Sequence, residues 1–338
     1  MRALVWHGPH DLKLEEIQAP RAGAGEALVK VSAVGICGSD IHGYSGASGR
    51  RTPGTVMGHE LSGTVEEADG AASQHTGQRV AVNPLTPDGT CAYCQQGMPH
   101  LCPNRRVLGV NMGAAGAFAE YVVIGVDNLI PLADGISDAE GAMAEPLAVA
   151  VRAVNISGLQ AGEPTLILGA GTIGLCVLLV CRSRGIGPVF MSERIPHRIE
   201  MARSLGAEAL SADDDITGRV LDANGGLGVS CSLDAVGAGP TIRQGLMATR
   251  RAGKLVLVGL AQPSVDLALY ELVPQERVIT GSYAYRPEEY REAVRLINER
   301  AVDVRPLLER TVSLDDAPDA FEALATGEDP SVKVMVEP

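Results

Sequence analysis

Two rhythms of apolar and polar positions run along this chain, and they change near Gly162. Upstream, ALVKVSAVG at 27–35, ELSGTVEEA at 60–68 and QRVAVNP at 78–84 are short apolar-rich runs, mixed with polar residues, between breaks of Gly, Pro and Asp. That pattern predicts a twisted, β-rich region of short strands and long loops. No firm 3.6-residue period appears before residue 138. There ISDAEGAMAEPLAVAVRAVNIS predicts a helix, with Ser137 or Asp138 as its N-cap.

Downstream, PTLILGAGTIGLCVLLVCRSRG reads strand, glycine turn, helix. PVFMSE is a further strand and RIPHRIEMARSLGA a further helix. VSCSLDAVG, TIRQGLMATRRAG and KLVLVGL then repeat strand, helix, strand. Strands separated by helices of this length predict a mainly parallel sheet. A helix at PEEYREAVRLINERAV, 287–302, precedes the tail DDAPDAFEALATG and a last strand, SVKVMVEP.

The 338 residues, 46% of them apolar, suffice for one large domain or two ordinary ones. Aromatics make up only 3%, so packing rests on Val, Leu, Ile, Ala and Met. A formal charge of -13 leaves no basic stripe for nucleic acid. Arg50-Arg51, Arg105-Arg106 and Arg250-Arg251 are isolated pairs, and a bound anion at Arg50 and Arg51 has no geometry behind it. The N-terminus MRALVWHGPHDLKLEE turns charged too early for a signal peptide. The apolar run at 165–181 is too interrupted by glycine for a membrane span. A cytoplasmic location without a membrane partner is therefore expected. Seven cysteines, an odd number without a secretion signal, argue against a disulfide scaffold.

LILGAGTIG places Gly169, Gly171 and Gly174 behind an apolar strand, in the spacing G-x-G-x-x-G. The first glycine permits a tight turn, the second admits a pyrophosphate and the third lets helix and sheet pack closely. Thr172 and Ile173 open the helix whose N-terminus would face the phosphates. Glu193 lies nineteen residues beyond Gly174, where an acid can accept from both ribose hydroxyls and repel a 2′-phosphate. NAD is favoured, while Arg194 and Arg198 keep NADP open.

DGTCAYCQQGMPHLCPN carries Asp88, Cys91, Cys94 and Cys102. Two sulfurs in C-x-x-C chelate one ion from a tight turn, so a closed structural zinc site is expected, with Asp88 as fourth ligand. His100 is a substitute ligand, and a metal-free thiol loop is the competing reading. GICGSDIHGY at 35–44, followed by VMGHE at 56–60, gathers a second set of Cys, His and acidic residues, either a polar turn or a metal site.

GICGSDIHG, GHELSGTV, the 88–102 lobe, GAFAEYV at 116–122, AEPLAVAVRAV at 144–154, GAGTIG and GSYAY at 281–285 resemble, in order and spacing, the zinc-dependent medium-chain dehydrogenase/reductase family. The resemblance covers nearly the whole chain and is strongest to the sorbitol, polyol and threonine dehydrogenase branch. It implies a GroES-like β-rich catalytic domain at 1–150, a Rossmann coenzyme domain at 151–285, a doubly wound parallel sheet, and a return of 286–338 to the catalytic domain. The active site would lie in the cleft between them. It implies Cys37, His59 and Glu60 as catalytic zinc ligands, with Glu145 nearby and exchanging. Ser39 matches a hydroxyl proton relay, His42 a group passing the proton outward, and Asp40 an acid orienting His59. The relatives hold the carboxamide with residues matching Val258, Gly259 and Leu260, and with Gly281 and Ser282 more weakly. The family lobe carries four cysteines, so Asp88 is a departure that bears on structural zinc occupancy.

The reading that follows is a zinc-dependent hydride transfer between a secondary alcohol (polyol, sugar or cyclitol) or its ketone and NAD, in a homodimer or homotetramer. The competing readings are an NADP-dependent ketone or amino-alcohol dehydrogenase and a catalytically silent nucleotide-binding protein.

Overall fold

A computed structural model describes every residue from Met1 to Pro338 except Arg50, Asp69 and Ala114. The chain divides into two compact units, Met1–Glu145 with Arg286–Pro338, and Pro146–Tyr285.

The first unit is built on strand Glu26–Gly35, whose buried Ala27, Val29 and Val31 alternate with less buried neighbours. It pairs antiparallel with strand Glu60–Ala68 along one edge. Its other edge is shared by strand Tyr121–Gly125, at Glu26 to Lys30, and strand Lys333–Glu337, at Val34 and Gly35. Strands Arg79–Val82, Leu129–Pro131 and Leu308–Ser313 complete the sheet. Val29, Val31, Leu61, Val65, Phe118 and Phe321 form its apolar core.

The second unit is a six-stranded, all-parallel sheet. Its strands run in the order Glu208–Ser211, Val189–Glu193, Thr165–Leu168, Val229–Asp234, Thr249–Leu257, Val278–Gly281. The order reverses direction between Thr165–Leu168 and Val229–Asp234, which makes the sheet doubly wound and sets a ligand crevice at the carboxyl ends of those two strands. Leu166, Leu168, Phe190, Val229 and Leu255 fill one face with Ile242 and Leu246 of the crossover helix Gly239–Ala248.

Three local expectations change. The sequence pattern shows no helix before residue 138, yet Gly38–Tyr44 is helical, with Asp40 Oδ2 accepting from the Cys37 amide at 3.2 Å and Tyr44 packed on Phe321. Tertiary contact and the cap override the poor propensity of its two glycines. The helix expected across 136–157 is two, Asp138–Ala142 and Ala144–Ser157. Pro146 cannot donate back to the Ala142 carbonyl, so the ladder breaks there. TRRAG, expected at a helix end, instead opens strand Thr249–Leu257, because Thr249 is buried and bonded to Gly245 O and Ser232 Oγ.

Ser137 caps the helix Asp138–Ala142, accepting from the Glu140 amide at 3.2 Å while Glu140 accepts from the Ser137 amide at 2.8 Å. Burial opposes ionisation of Glu140, but the bonds from Ser137 and Arg300 outweigh it and lower its pKa. A depressed carboxylate stabilises the fold above its unfolded pKa, near 4.5, and loses that contribution as pH falls through the folded value. Ser137→Ala should cost about 1 kcal/mol. Glu140→Gln should destabilise measurably at pH 7, with the difference from wild type shrinking below about pH 4; urea unfolding at both pH values reads this.

Candidate metal and coenzyme sites

The pairing of Gly35 with Glu60 decides where the first site forms. Cys37 follows two residues beyond one strand, and His59 immediately precedes the other. Antiparallel register therefore delivers thiol, imidazole and carboxylate to the same end of the sheet. One donor atom from each of Cys37, His59 and Glu60 lies within 4.8 Å of the other two. His59 and Glu60 are buried and Cys37 is partly exposed.

His59 Nδ1 stands 3.5 Å from Asp40 Oδ1, which leaves Nε2 as the nitrogen for a metal. Arg51 Nη2 lies 3.6 Å from the same oxygen, and its Nη1 donates to Val110 O at 2.7 Å. Burial opposes ionisation of Asp40, but His59 and Arg51 prevail and hold its carboxyl below the ordinary value. Burial likewise opposes protonation of His59, while Asp40 and Cys37 draw its pKa well above the usual range. The cluster thus attracts positive charge, and its sulfur, nitrogen and oxygen donors suit zinc.

Behind it, Lys333 Nζ is 2.6 Å from Glu60 Oε2, with both side chains essentially inaccessible. Ser39 and His42 lie on exposed positions of helix Gly38–Tyr44. Glu145, in the first turn of helix Ala144–Ser157, is not among the three grouped donors.

The second cluster matches its spacing. Donor atoms of Asp88, Cys91, Cys94 and Cys102 all lie within 4.8 Å. Asp88 Oδ1 accepts from the amides of Thr90 and Cys91 at 2.9 and 3.0 Å, and Oδ2 from Asn104 at 2.8 Å. These bonds, that of Cys91 foremost, pull its pKa far down. Desolvation, then the hydrogen bond with Cys91, pushes the Cys94 thiol up to about 12. So many groups able to carry negative charge in one small loop form the electrostatic mould of a cation. His100 is buried and stands outside this set of four.

In the second unit, the residues suited to a dinucleotide line the carboxyl ends of the parallel strands. Gly169 leaves strand Thr165–Leu168 at φ +91°, a conformation that favours glycine, and Gly171 caps helix Thr172–Ser183, which carries Ile173 and Gly174 in its first turn. A Cβ on Gly174 would collide with the Gly169 carbonyl. Glu193 ends its strand with Oε2 accepting from the Ala170 amide at 2.7 Å and Oε1 from the amides of Arg194 and Ile195 at 2.6 and 3.0 Å. Its carboxylate therefore braces the glycine loop. Arg194 is exposed, and Arg198 Nη1 stands beside Gly171. The amides of Val258 and Gly259 both donate to Asp234 O, at the end of strand Thr249–Leu257, and Leu260 is exposed. Gly281 closes the edge strand, and the buried Ser282 Oγ has no hydrogen-bond partner among the described residues. The glycine cradle and this orphan hydroxyl fit a nicotinamide dinucleotide.

Sequence reasoning missed two buried cations. Arg51, considered above for an external anion, meets Asp40 inside the chain; Arg50 lies outside the described residues. Lys333 was signalled only as a charge within the apolar strand SVKVMVEP.

Comparison with known proteins agrees with this geometry. Residues 23–134 match the alcohol dehydrogenase GroES-like domain, and 172–299 the zinc-binding dehydrogenase domain. (R,R)-butanediol dehydrogenase of Bacillus subtilis is 32% identical, over all of both chains. An Escherichia coli CFT073 alcohol dehydrogenase complexed with NADH superposes with a TM-score of 0.91 at 27% identity, over 100% of this chain and 99% of that one. A zinc-binding dehydrogenase from Sinorhizobium meliloti bound to NADP gives 0.89 at 30%, over the same shares. The chain belongs to the zinc-dependent medium-chain dehydrogenase/reductase family and is related to its sorbitol and threonine dehydrogenases. Its fold is a GroES-like β-rich domain and a Rossmann-type parallel-sheet domain. Among the described residues, no helix is long and apolar enough to cross a membrane.

Gly174→Ala should weaken NADH binding at least about tenfold, because the added methyl forces the helix start away from the glycine turn. Fluorescence titration with NADH reads the change, with circular dichroism checking the fold.

Proposed function

We propose that this protein oxidises a secondary alcohol, of the polyol, sugar or cyclitol class, with NAD, and reduces the corresponding ketone in the reverse direction. The observation that carries the proposal is the convergence of Cys37, His59 and Glu60, the last two buried and Cys37 partly exposed. These residues would hold zinc, with Glu145 as an exchanging ligand from its own helix. Bound there, zinc would polarise the substrate oxygen and lower the pKa of its hydroxyl, while NAD would take the hydride.

The chain's own groups do the rest. Asp40 keeps the His59 ring turned with Nδ1 toward itself. Ser39 takes the alcohol proton and His42 passes it to water, both standing at exposed positions two and five residues beyond Cys37. Gly169, Gly171 and Gly174 bring backbone close to the pyrophosphate, and Glu193 accepts from the ribose. Val258, Gly259, Gly281 and Ser282 orient the carboxamide. Arg198, beside Gly171, supports a second reading in which NADP is also accepted. Asp88, Cys91, Cys94 and Cys102 would hold a second, structural zinc, with no coordination position left for chemistry.

Coenzyme reduction at 340 nm, across polyols, sugars, cyclitols and amino alcohols with NAD and NADP, should give turnover with a secondary alcohol and NAD. Chelation should abolish it and added zinc restore it, and Cys37→Ser should lower kcat at least about 10³-fold. Turnover that survives full chelation contradicts the proposal. Metal analysis should find two zinc ions per chain, and one after Asp88→Ala combined with Cys91→Ser. An unchanged zinc content in that double variant removes the lobe from the account.

A further inference from the structure

Arginine is almost never fully buried unless paired, and the Arg51 side chain is 3% exposed. Its two terminal nitrogens serve two different segments. Nη2 lies 3.6 Å from Asp40 Oδ1, the same oxygen that stands 3.5 Å from His59 Nδ1. Nη1 donates to Val110 O at 2.7 Å. Val110 belongs to a short segment that starts at the three-cysteine lobe. Arg105 Nη1 donates at 2.8 Å to the carbonyl of Cys102, last of the four lobe donors. Asn111 Nδ2 donates to Arg105 O at 3.1 Å, and Asn111 Oδ1 accepts from the Val107 amide at 2.7 Å. Strand Arg106–Val107 pairs with Leu85–Thr86, which leads into Asp88. The segment then packs on the peptide that precedes His59, for a Cβ on Gly109, at φ +67°, would collide with the backbone of Gly58. A continuous run of bonds and close contacts thus joins Cys102 to His59, and Arg51 closes it at the His59 end.

We propose that Arg51 is a positioning residue that couples the two metal sites, passing the order of the lobe and its following segment to Asp40 and through it to His59. The proposal rests on the reading of both clusters as metal sites. A metal in the lobe ties Asp88, Cys91, Cys94 and Cys102 to one point, and so restrains the segment that leaves Cys102. With Val110 O held in place, Arg51 is fixed and keeps the Asp40 carboxylate turned to the His59 ring. With the lobe empty, Val110 loses that restraint. Asp40 and His59 then gain freedom that metal binding at Cys37, His59 and Glu60 has to remove, at a cost in affinity. Hydrogen bonds and packed backbone of this kind carry coupling between separated sites. The coupling is reciprocal, so a metal at Cys37, His59 and Glu60 strengthens binding in the lobe by the same factor.

The test is cobalt(II) titration of the metal-free full chain. The visible bands that Cys37→Ser removes report this site, and chelator competition gives its Kd. The readout is the ratio of that Kd with the lobe disabled, by Asp88→Ala and Cys91→Ser together, to that with the lobe intact. With Arg51 present the ratio should be about ten, within the usual span of coupling between sites. In an Arg51→Met background it should fall to about one. A purely structural loss would weaken binding in both lobe states alike and leave the ratio unchanged. Arg51→Met combined with Asp40→Asn removes both buried charges and should also bring the ratio to about one; this neutral pair keeps the test available where Arg51→Met alone does not fold. A ratio near one with Arg51 present overturns the proposal, as does a ratio that persists without Arg51. A wild-type chain with no cobalt band dependent on Cys37, or none dependent on Cys91, overturns the metal reading of that cluster and this proposal together.

Discussion

The antiparallel register that sets Gly35 opposite Glu60 is the constraint from which the first site follows. Side chains alternate faces with period two, so a slip of one residue would turn Glu60 to the other face and separate it from Cys37. The register is secured by the buried Val29, Val31, Leu61 and Val65, far more than by the polar residues themselves. The apolar core thus holds a group of ionisable side chains that would not assemble on their own. Removing one member of the buried Glu60–Lys333 pair would leave an uncompensated charge, at a cost of about 3–5 kcal/mol. A second cation–carboxylate contact, Arg51 on Asp40, stands behind His59.

The second unit solves a different problem with the same economy of means. A parallel sheet brings the carboxyl ends of its strands to one edge, and its reversal of order opens a crevice there. Gly169, Glu193, Val258 and Gly281 all stand at or just beyond those ends. Glu193 links two of them through its bond to the Ala170 amide, which holds the glycine turn in shape. Relatives complexed with NADH and with NADP show that this fold accommodates both.

Much of this was legible in the sequence because it is local. The short run ELSGTVEEA gives strand Glu60–Ala68, and the glycine spacing of LILGAGTIG gives the turn and helix start. The three-residue spacing of Cys91 and Cys94 brings their sulfurs to 3.5 Å. What escaped was set by distant partners. Helix Gly38–Tyr44 depends on Tyr44 packing against Phe321, and Lys333 meets Glu60 across 273 residues. The early start of strand Thr249–Leu257 reflects a register shift against Val229–Asp234 and hydrogen bonds to Ser232, none of which leaves a mark on TRRAG itself.

The central claim is that Cys37, His59 and Glu60 together hold a catalytic zinc ion. Crystals of the zinc-loaded protein, with diffraction recorded on both sides of the zinc absorption edge, test it most directly. The account predicts one anomalous peak within coordinating distance of Cys37 Sγ and His59 Nε2 and beside the Glu60 carboxylate, in addition to one at Cys91, Cys94 and Cys102. A peak at the second place alone, in crystals grown with excess zinc, would contradict it.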